Sequence, residues 1–237
     1  MMKLDFKSLV LFEDENFLVA NKPPYISSLD DRNNDVNLQM LAKRYDESLS
    51  ACHRLDKETS GCLLFAKNAE AYRHASIQFE KRTVDKVYHA FVNGIHEFRN
   101  LKVELPILSL NKGSVVIDFK GKPATTIFNT LEVYKRHSLI ECRPETGRMH
   151  QIRIHLSKKE APIINDPLYG GSPLFLSEIK KKFNLGKYEE EQPLIKRFAL
   201  HAFALSFRSL NNEEVTVQAD YPKDLRVIEK QLKANRY

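Results

Sequence analysis

Between Ser114 and Pro144 three apolar stretches, SVVIDF, TTIFNTLEVY and SLIECRP, follow one another with short polar breaks and no helical stretch between them. Strands joined so directly pair as antiparallel neighbours, because a parallel crossover needs a dozen or more residues. The pattern recurs along the chain. SLVLF and FLVAN flank the polar turn EDEN, CLLFAK reads as a buried strand, VYHAFVNGI alternates up to a glycine turn, and ALHAFALSF and EVTVQA make a late pair. Helical spacing is found in four places only. Leu38, Leu41, Ala42 and Tyr45 predict a helix over 36–45. Asn68 reads as the N-cap of the next, with Ala71, Tyr72, Ala75 and Phe79 on its inner face. Met149, Ile152 and Leu156 predict a helix over RMHQIRIHLSKK, and Leu225, Ile228 and Leu232 a closing helix over 224–233. Strands outnumber helices, so the fold class expected is α+β with a mainly antiparallel central sheet flanked by helices, not a doubly wound parallel sheet. KPPYI forces an extended path, while SSLDDRNND and APIINDPLYGGS read as loops.

A chain of 237 residues suits one large domain or two small ones, and 42% hydrophobic with 29% charged residues can supply a core. Lys and Arg total 37 against 31 Asp and Glu, a charge of +6, and this modest basic excess is compatible with a polyanionic partner. Cys52, Cys62 and Cys142 are odd in number and show no C-x-x-C spacing, so a disulfide framework is not expected and a reducing compartment is. Cys62 sits in an apolar run and reads as core. The apolar stretch near the N-terminus is short and meets Glu13 and Asp14, unlike a signal peptide, and no run reaches membrane-spanning length. A soluble, cytoplasmic protein that acts as a monomer and touches no membrane is expected. G-x-G-x-x-G, Walker-type and H-E-x-x-H motifs are missing, so neither cofactor nor metal is expected.

The densest polar run is HRLDKETSG, residues 53–61, which turns at once into CLLFA. Asp56 within it suits either a turn cap or a carboxylate at the mouth of a catalytic cleft. Tyr88 reads as a half-buried strand tyrosine unless a site claims it. In GRMHQIRIH a helix would put His150 and Arg153 on one face, with Arg148 close by; a solvated basic face is the plain alternative. The run Lys180–Lys182 likewise reads as solvated, with phosphate contact as the second choice.

Taken in order, these pieces resemble the RluA family of RNA pseudouridine synthases. HRLDKETSGCLLFAK is similar to the family's H-R-L-D-x-x-T-S-G and following strand. DKVYHAFVNG is similar to K-x-Y-x-A-x-V-x-G, GKPATT to G-K-P-A-x-T, and ETGRMHQIRIHL to T-G-R-x-H-Q-I-R-x-H. NDPLYGG and RFALHAFALSF resemble D-x-x-Y-G and L-H-A-x-x-L. The resemblance runs over residues 9 to 222. It implies one pseudouridine synthase catalytic domain over residues 1–237, with an active cleft across the middle of the sheet. The small RNA-binding domain that precedes it in many relatives is not expected. It implies isomerisation of a uridine in ribosomal or transfer RNA without a cofactor. Asp56 takes the position of the catalytic aspartate, Tyr88 that of the tyrosine against the base, and Arg153 that of the aspartate's partner. Arg54 takes that of a residue holding RNA open at the flipped nucleotide, with His53, Arg148 and His150 as supporting RNA contacts. The family's early K-P-x-G reads KPPY here, so the usual glycine is missing.

Two rivals are weighed. A non-catalytic RNA-binding or RNA-remodelling protein would share charge and fold, but Asp56, Tyr88 and Arg153 are all retained. A metal-dependent hydrolase using His53, Asp56, His150 and His155 fits no common ligand spacing, and Arg54 and Arg153 would oppose a cation.

Overall fold

The computed structural model describes residues 5–30, 36–110, 113–186 and 190–236. The polar loop expected over 27–35 and the charged segment over 177–191 thus lie partly outside the described residues. In chain order the strands are β1 (Val10–Glu13), β2 (Phe17–Lys22), β3 (Ser50–Ala51), β4 (Ser60–Ala66), β5 (Asp85–Asn93) and β6 (Leu101–Glu104). They continue with β7 (Ile107–Ser109), β8 (Val115–Ile117), β9 (Thr125–Val133), β10 (His137–Pro144), β11 (Leu200–Arg208) and β12 (Glu214–Gln218). The helices are α1 (Leu38–Tyr45), α2 (Ala69–Glu80), α3 (Gln151–Lys158), α4 (Leu176–Ile179) and α5 (Lys223–Ala234). The fold is α+β and mostly antiparallel, as the succession of strands predicts. It divides into two compact units, Met1–Val87 with His201–Asp220, and Tyr88–Leu200 with Tyr221–Tyr237.

In the first unit β2 pairs antiparallel with β1 and β4, β3 with β4, and β12 with β11, while β4 and β11 run parallel. β4 is buried along its whole length, as an unbroken apolar run should be. Asn68 caps α2 by accepting the Ala71 N–H at 2.8 Å. α2 lays Ala71 and Ala75 on Phe17, Cys62, Leu64, Leu205 and Phe207. The expected inner face differs at one place. Tyr72 is 44% exposed, and Gln78 is buried instead. The amide of Gln78 explains this: it donates to the Arg208 carbonyl at 2.9 Å and accepts the Arg208 N–H at 2.8 Å, finishing β11 as a strand would. The first strand starts later than SLVLF suggests, because Phe6–Leu9 form a 3-10 turn capped by Asp5.

In the second unit β10 pairs antiparallel with β5 and β9, and β9 with β6. β7 and β8 form a separate hairpin. Helix α5 presents Leu225, Ile228 and Leu232 to a core that holds Phe91, Phe128, Ile140, Ile152 and Leu156. α3 begins later than its apolar spacing predicts. Met149 and His150 lie in a turn, and His150 is the N-cap in the left-handed region, φ 53°. The expected shared helical face of His150 and Arg153 is therefore not formed.

Candidate active site

Asp56 lies in the loop between β3 and β4 of the first unit, half-buried, with its carbonyl accepting the Thr59 N–H at 3.0 Å. Both of its chain neighbours are fixed. The Ser28 hydroxyl donates to the Leu55 carbonyl at 2.9 Å and accepts the Leu55 N–H at 3.0 Å. On the other side the fully buried ammonium of Lys22 donates to the carbonyl of Lys57 at 3.0 Å. The same nitrogen donates to Pro23 at 3.0 Å and Ile26 at 2.8 Å, so one cation ties the KPPYI segment to the Asp56 loop. Gly61, two residues after Thr59, has φ 114°, and a Cβ there would stand 2.1 Å from the Ala202 carbonyl oxygen. That close approach lets β4 run beside β11, where Gly61 faces Ala202.

His53 accepts the Leu64 N–H on Nε2 at 3.1 Å, and its ring lies 4.9 Å from that of Phe79. Burial, aided by the nearby Lys86 ammonium, depresses its pKa to about 3. At neutral pH it is an uncharged loop anchor, so it brings no charge to phosphate. Arg54 beside it is exposed.

The second unit gathers other residues of the sequence reading. Gln151 closes the turn before α3: its carbonyl oxygen accepts from the Arg148 N–H at 3.0 Å and the Thr146 hydroxyl at 2.6 Å. Its amide donates to the Thr125 carbonyl at 2.8 Å and the Thr126 hydroxyl at 2.9 Å. Arg148 donates from Nε to the Pro123 carbonyl at 3.2 Å. His150 Nδ1 and the Tyr169 hydroxyl are 2.8 Å apart. Arg153 is buried; its Nε and a terminal nitrogen reach Asp166 at 2.7 and 2.8 Å, a two-pronged ion pair with side chains 7% and 1% exposed. Its guanidinium lies 4.9 Å from the Tyr169 ring centre and 4.2 Å from that of Phe198. Within its unit, then, the carboxylate partner of Arg153 is Asp166. Tyr88 is half-buried on β5 opposite Cys142 of β10 and packs on the main core of this unit.

A family model described as RNA pseudouridylate synthase matches residues 16–158. The large-subunit ribosomal pseudouridine synthase C of Buchnera aphidicola is 34% identical over 232 residues, 93% of this chain and 70% of that protein. The chain belongs to the RluA family of RNA pseudouridine synthases. An uncharacterised RNA pseudouridine synthase of Zymomonas mobilis is 33% identical over 223 residues, 90% of this chain and 94% of that one. Among solved structures, human RNA pseudouridylate synthase domain containing 4 shares the fold, with a TM-score of 0.73 over 96% of this chain and 94% of that one at 24% identity.

Seen as a member of this family, the chain departs at one conformational position. Tyr25 stands where the family's K-P-x-G has glycine, and it adopts φ 67°, the left-handed backbone that glycine takes freely. The left-handed turn is thus taken by a bulky residue, at a cost of roughly 1–2 kcal/mol. Asp166 and Tyr169 are the residues that motif reading quoted without giving them a role. Their signal was the D-x-x-Y-G element itself, and the 3-10 turn Pro167–Tyr169 aims both at Arg153 and His150.

His155 faces the Thr126 hydroxyl at 2.9 Å and the Leu105 carbonyl at 3.0 Å, and burial lowers its pKa. Among the described residues no three His, Cys, Asp or Glu side chains gather as metal ligands. Lys180, Lys181 and Lys182 are exposed, and no described helix is long and apolar enough to cross a membrane.

Proposed function

We propose that the chain isomerises a uridine of large-subunit ribosomal RNA to pseudouridine, with Asp56 as the catalytic carboxylate. The observation that carries this reading is the extent of the family match, since residues 16–158 include Asp56, Tyr88 and Arg153 together. The ribosomal assignment follows the Buchnera relative, which is named for the large ribosomal subunit.

The reaction breaks the bond between uracil N1 and the ribose and forms one between C5 and the same ribose carbon; C5 gives up its proton and N1 takes one up, so the product is an isomer. Nothing is oxidised and no group is gained, so side chains suffice. Asp56 is the carboxylate at the nucleoside; a loop pinned at Leu55 and Lys57 holds it without reorganisation. Arg153 is assigned to orient and charge-stabilise that carboxylate, and its planar fork is already aligned by Asp166 and two aromatic rings. Tyr88 lies against the base, as stacking surface or as relay for the C5 proton. The uridine must leave its stack, at a cost of a few kcal/mol, and exposed Arg54 offsets part of it by occupying the gap. Arg148 and His150 add RNA contacts, and His53 serves them by fixing the loop. The working unit is one catalytic domain, monomeric and cytoplasmic, with no cofactor.

Pseudouridine mapping of ribosomal RNA from cells lacking the gene tests this. One or more large-subunit pseudouridines should vanish and return with the wild-type gene but not with Asp56→Asn. An unchanged pseudouridine map, or full rescue by Asp56→Asn, overturns it.

A further inference from the structure

GKPATT and the last histidine of GRMHQIRIH are joined by a buried chain of hydrogen bonds to which the proposed chemistry gives no task. His155 Nε2 lies 3.0 Å from the Leu105 carbonyl, which can only accept, so that nitrogen carries the ring proton. Nδ1 of the neutral ring is then an acceptor and takes the Thr126 hydroxyl proton at 2.9 Å. The same hydroxyl oxygen accepts from the Gln151 amide at 2.9 Å. The rest of that amide is engaged by the Thr125 carbonyl, the Thr146 hydroxyl and the Arg148 N–H. Each proton has one acceptor, so the chain runs in one direction only. Thr126, Gln151 and His155 are all buried, and a buried network with every member satisfied is rigid. An α-helix turns by about 100° per residue. Gln151 and His155, four apart on α3, therefore share one side of it, and Arg153, two residues from each, stands on the other. The first side is bonded to β9 and the Leu105 carbonyl, while Arg153 meets Asp166, Tyr169 and Phe198.

We propose that Thr126, Gln151 and His155 are positioning residues for the reaction: their chain of hydrogen bonds sets the rotation of α3 about its axis and so the direction of Arg153. The role rests on the proposed pseudouridine synthase activity, in which Arg153 orients the Asp56 carboxylate. All three side chains are buried, and no proton or bond of the reaction passes through them. Apolar residues could pack α3 on β9 but would not fix its rotation, because apolar contact is non-directional. A turn of about 10° moves a group about 6 Å from the helix axis by about 1 Å, and a misplacement of that size can cost about 100-fold in rate.

The test uses the full chain with unmodified large-subunit ribosomal RNA transcribed in vitro. Turnover is measured by tritium release from 5-tritiated uridine and affinity by filter binding, at a temperature where thermal unfolding shows each variant to be folded. Thr126→Val keeps the side-chain shape and removes the hydroxyl that links His155 to Gln151. Its kcat should fall by roughly 10- to 100-fold. Its RNA affinity should stay at the wild-type value, because the Gln151 bonds to Thr125, Thr146 and Arg148 remain. Thr126→Ser, which keeps the hydroxyl, should retain most of the kcat. In the wild-type protein, NMR of the ring nitrogens should show His155 as a neutral ring protonated on Nε2, a result that requires no variant to fold. Wild-type kcat in folded Thr126→Val overturns the inference. So does an equal loss in Thr126→Val and Thr126→Ser, a loss confined to affinity, or a His155 ring protonated on Nδ1. Absence of turnover in the wild-type protein contradicts the proposed function instead, and is told apart by the ring-nitrogen spectra, which do not depend on activity.

Discussion

Replacing Asp166 by alanine isolates what holds Arg153 in place. The Asp166 side chain is 1% exposed and that of Arg153 7%, so the substitution takes a two-pronged counter-charge away from a guanidinium in a dry site. Removing one partner of a buried pair costs about 3–5 kcal/mol, because the remaining charge has been taken out of water and loses the pairing that offset this. For a chain of this length a kilocalorie moves the Tm by about 2–4 °C, so a fall of roughly 6–20 °C is expected by calorimetry. The Tyr169 and Phe198 rings still face the guanidinium and place the loss towards the lower end. The double variant Arg153→Met with Asp166→Leu should recover most of the stability, since no buried charge is left. Turnover should fall in both, because Arg153 is unaligned in one and missing in the other. A loss under about 1 kcal/mol in Asp166→Ala, or a double variant as unstable as the single one, would refute the pairing as the anchor of Arg153.

Other outcomes follow from single contacts. His53 is neutral when folded, with a pKa of about 3 against its ordinary 6.5, so unfolding takes up a proton between those values. Its contribution is complete above about pH 6.5 and is lost as pH falls towards 3; His53→Gln, which can still accept the Leu64 N–H, should flatten the urea-stability profile there, and a parallel profile would contradict the assignment. Gly61→Ala should give insoluble protein, since its Cβ meets a backbone oxygen at 2.1 Å, whereas Gly147→Ala, with nothing within 4 Å, should stay within about 1 kcal/mol of wild type. The soluble yield of each variant, with thermal unfolding of whatever stays soluble, decides this, and equal behaviour of the two would sink it. Tyr88→Phe should keep more turnover than Asp56→Asn in single-turnover kinetics; complete loss would make the hydroxyl the essential relay.

Much of the strand content could be read from the sequence because alternation is local: β9 and β10 lie where TTIFNTLEVY and SLIECRP place them. What escaped was polar residues whose partners are distant. Hydropathy exposes Gln78, yet it is buried by two bonds to Arg208, 130 residues on. The same pattern starts α3 too early, because it does not register that Gln151 bonds back to Thr146 and Arg148 and turns the chain at His150. Position 153 stood out in the sequence as a candidate, but its ion pair with Asp166 depends on a turn no periodicity encodes. The missing glycine of KPPY was visible too. That Tyr25 adopts a left-handed backbone was not, nor was the buried Lys22 ammonium that bonds the Pro23 and Ile26 carbonyls to either side of it.

The most direct measurement is single-turnover tritium release from 5-tritiated large-subunit ribosomal RNA by wild type and Asp56→Asn, with RNA affinity measured on the same preparations. The account predicts equal affinity, full release by wild type, and none above background by the variant. Release by Asp56→Asn at the wild-type rate would remove the carboxylate from the chemistry.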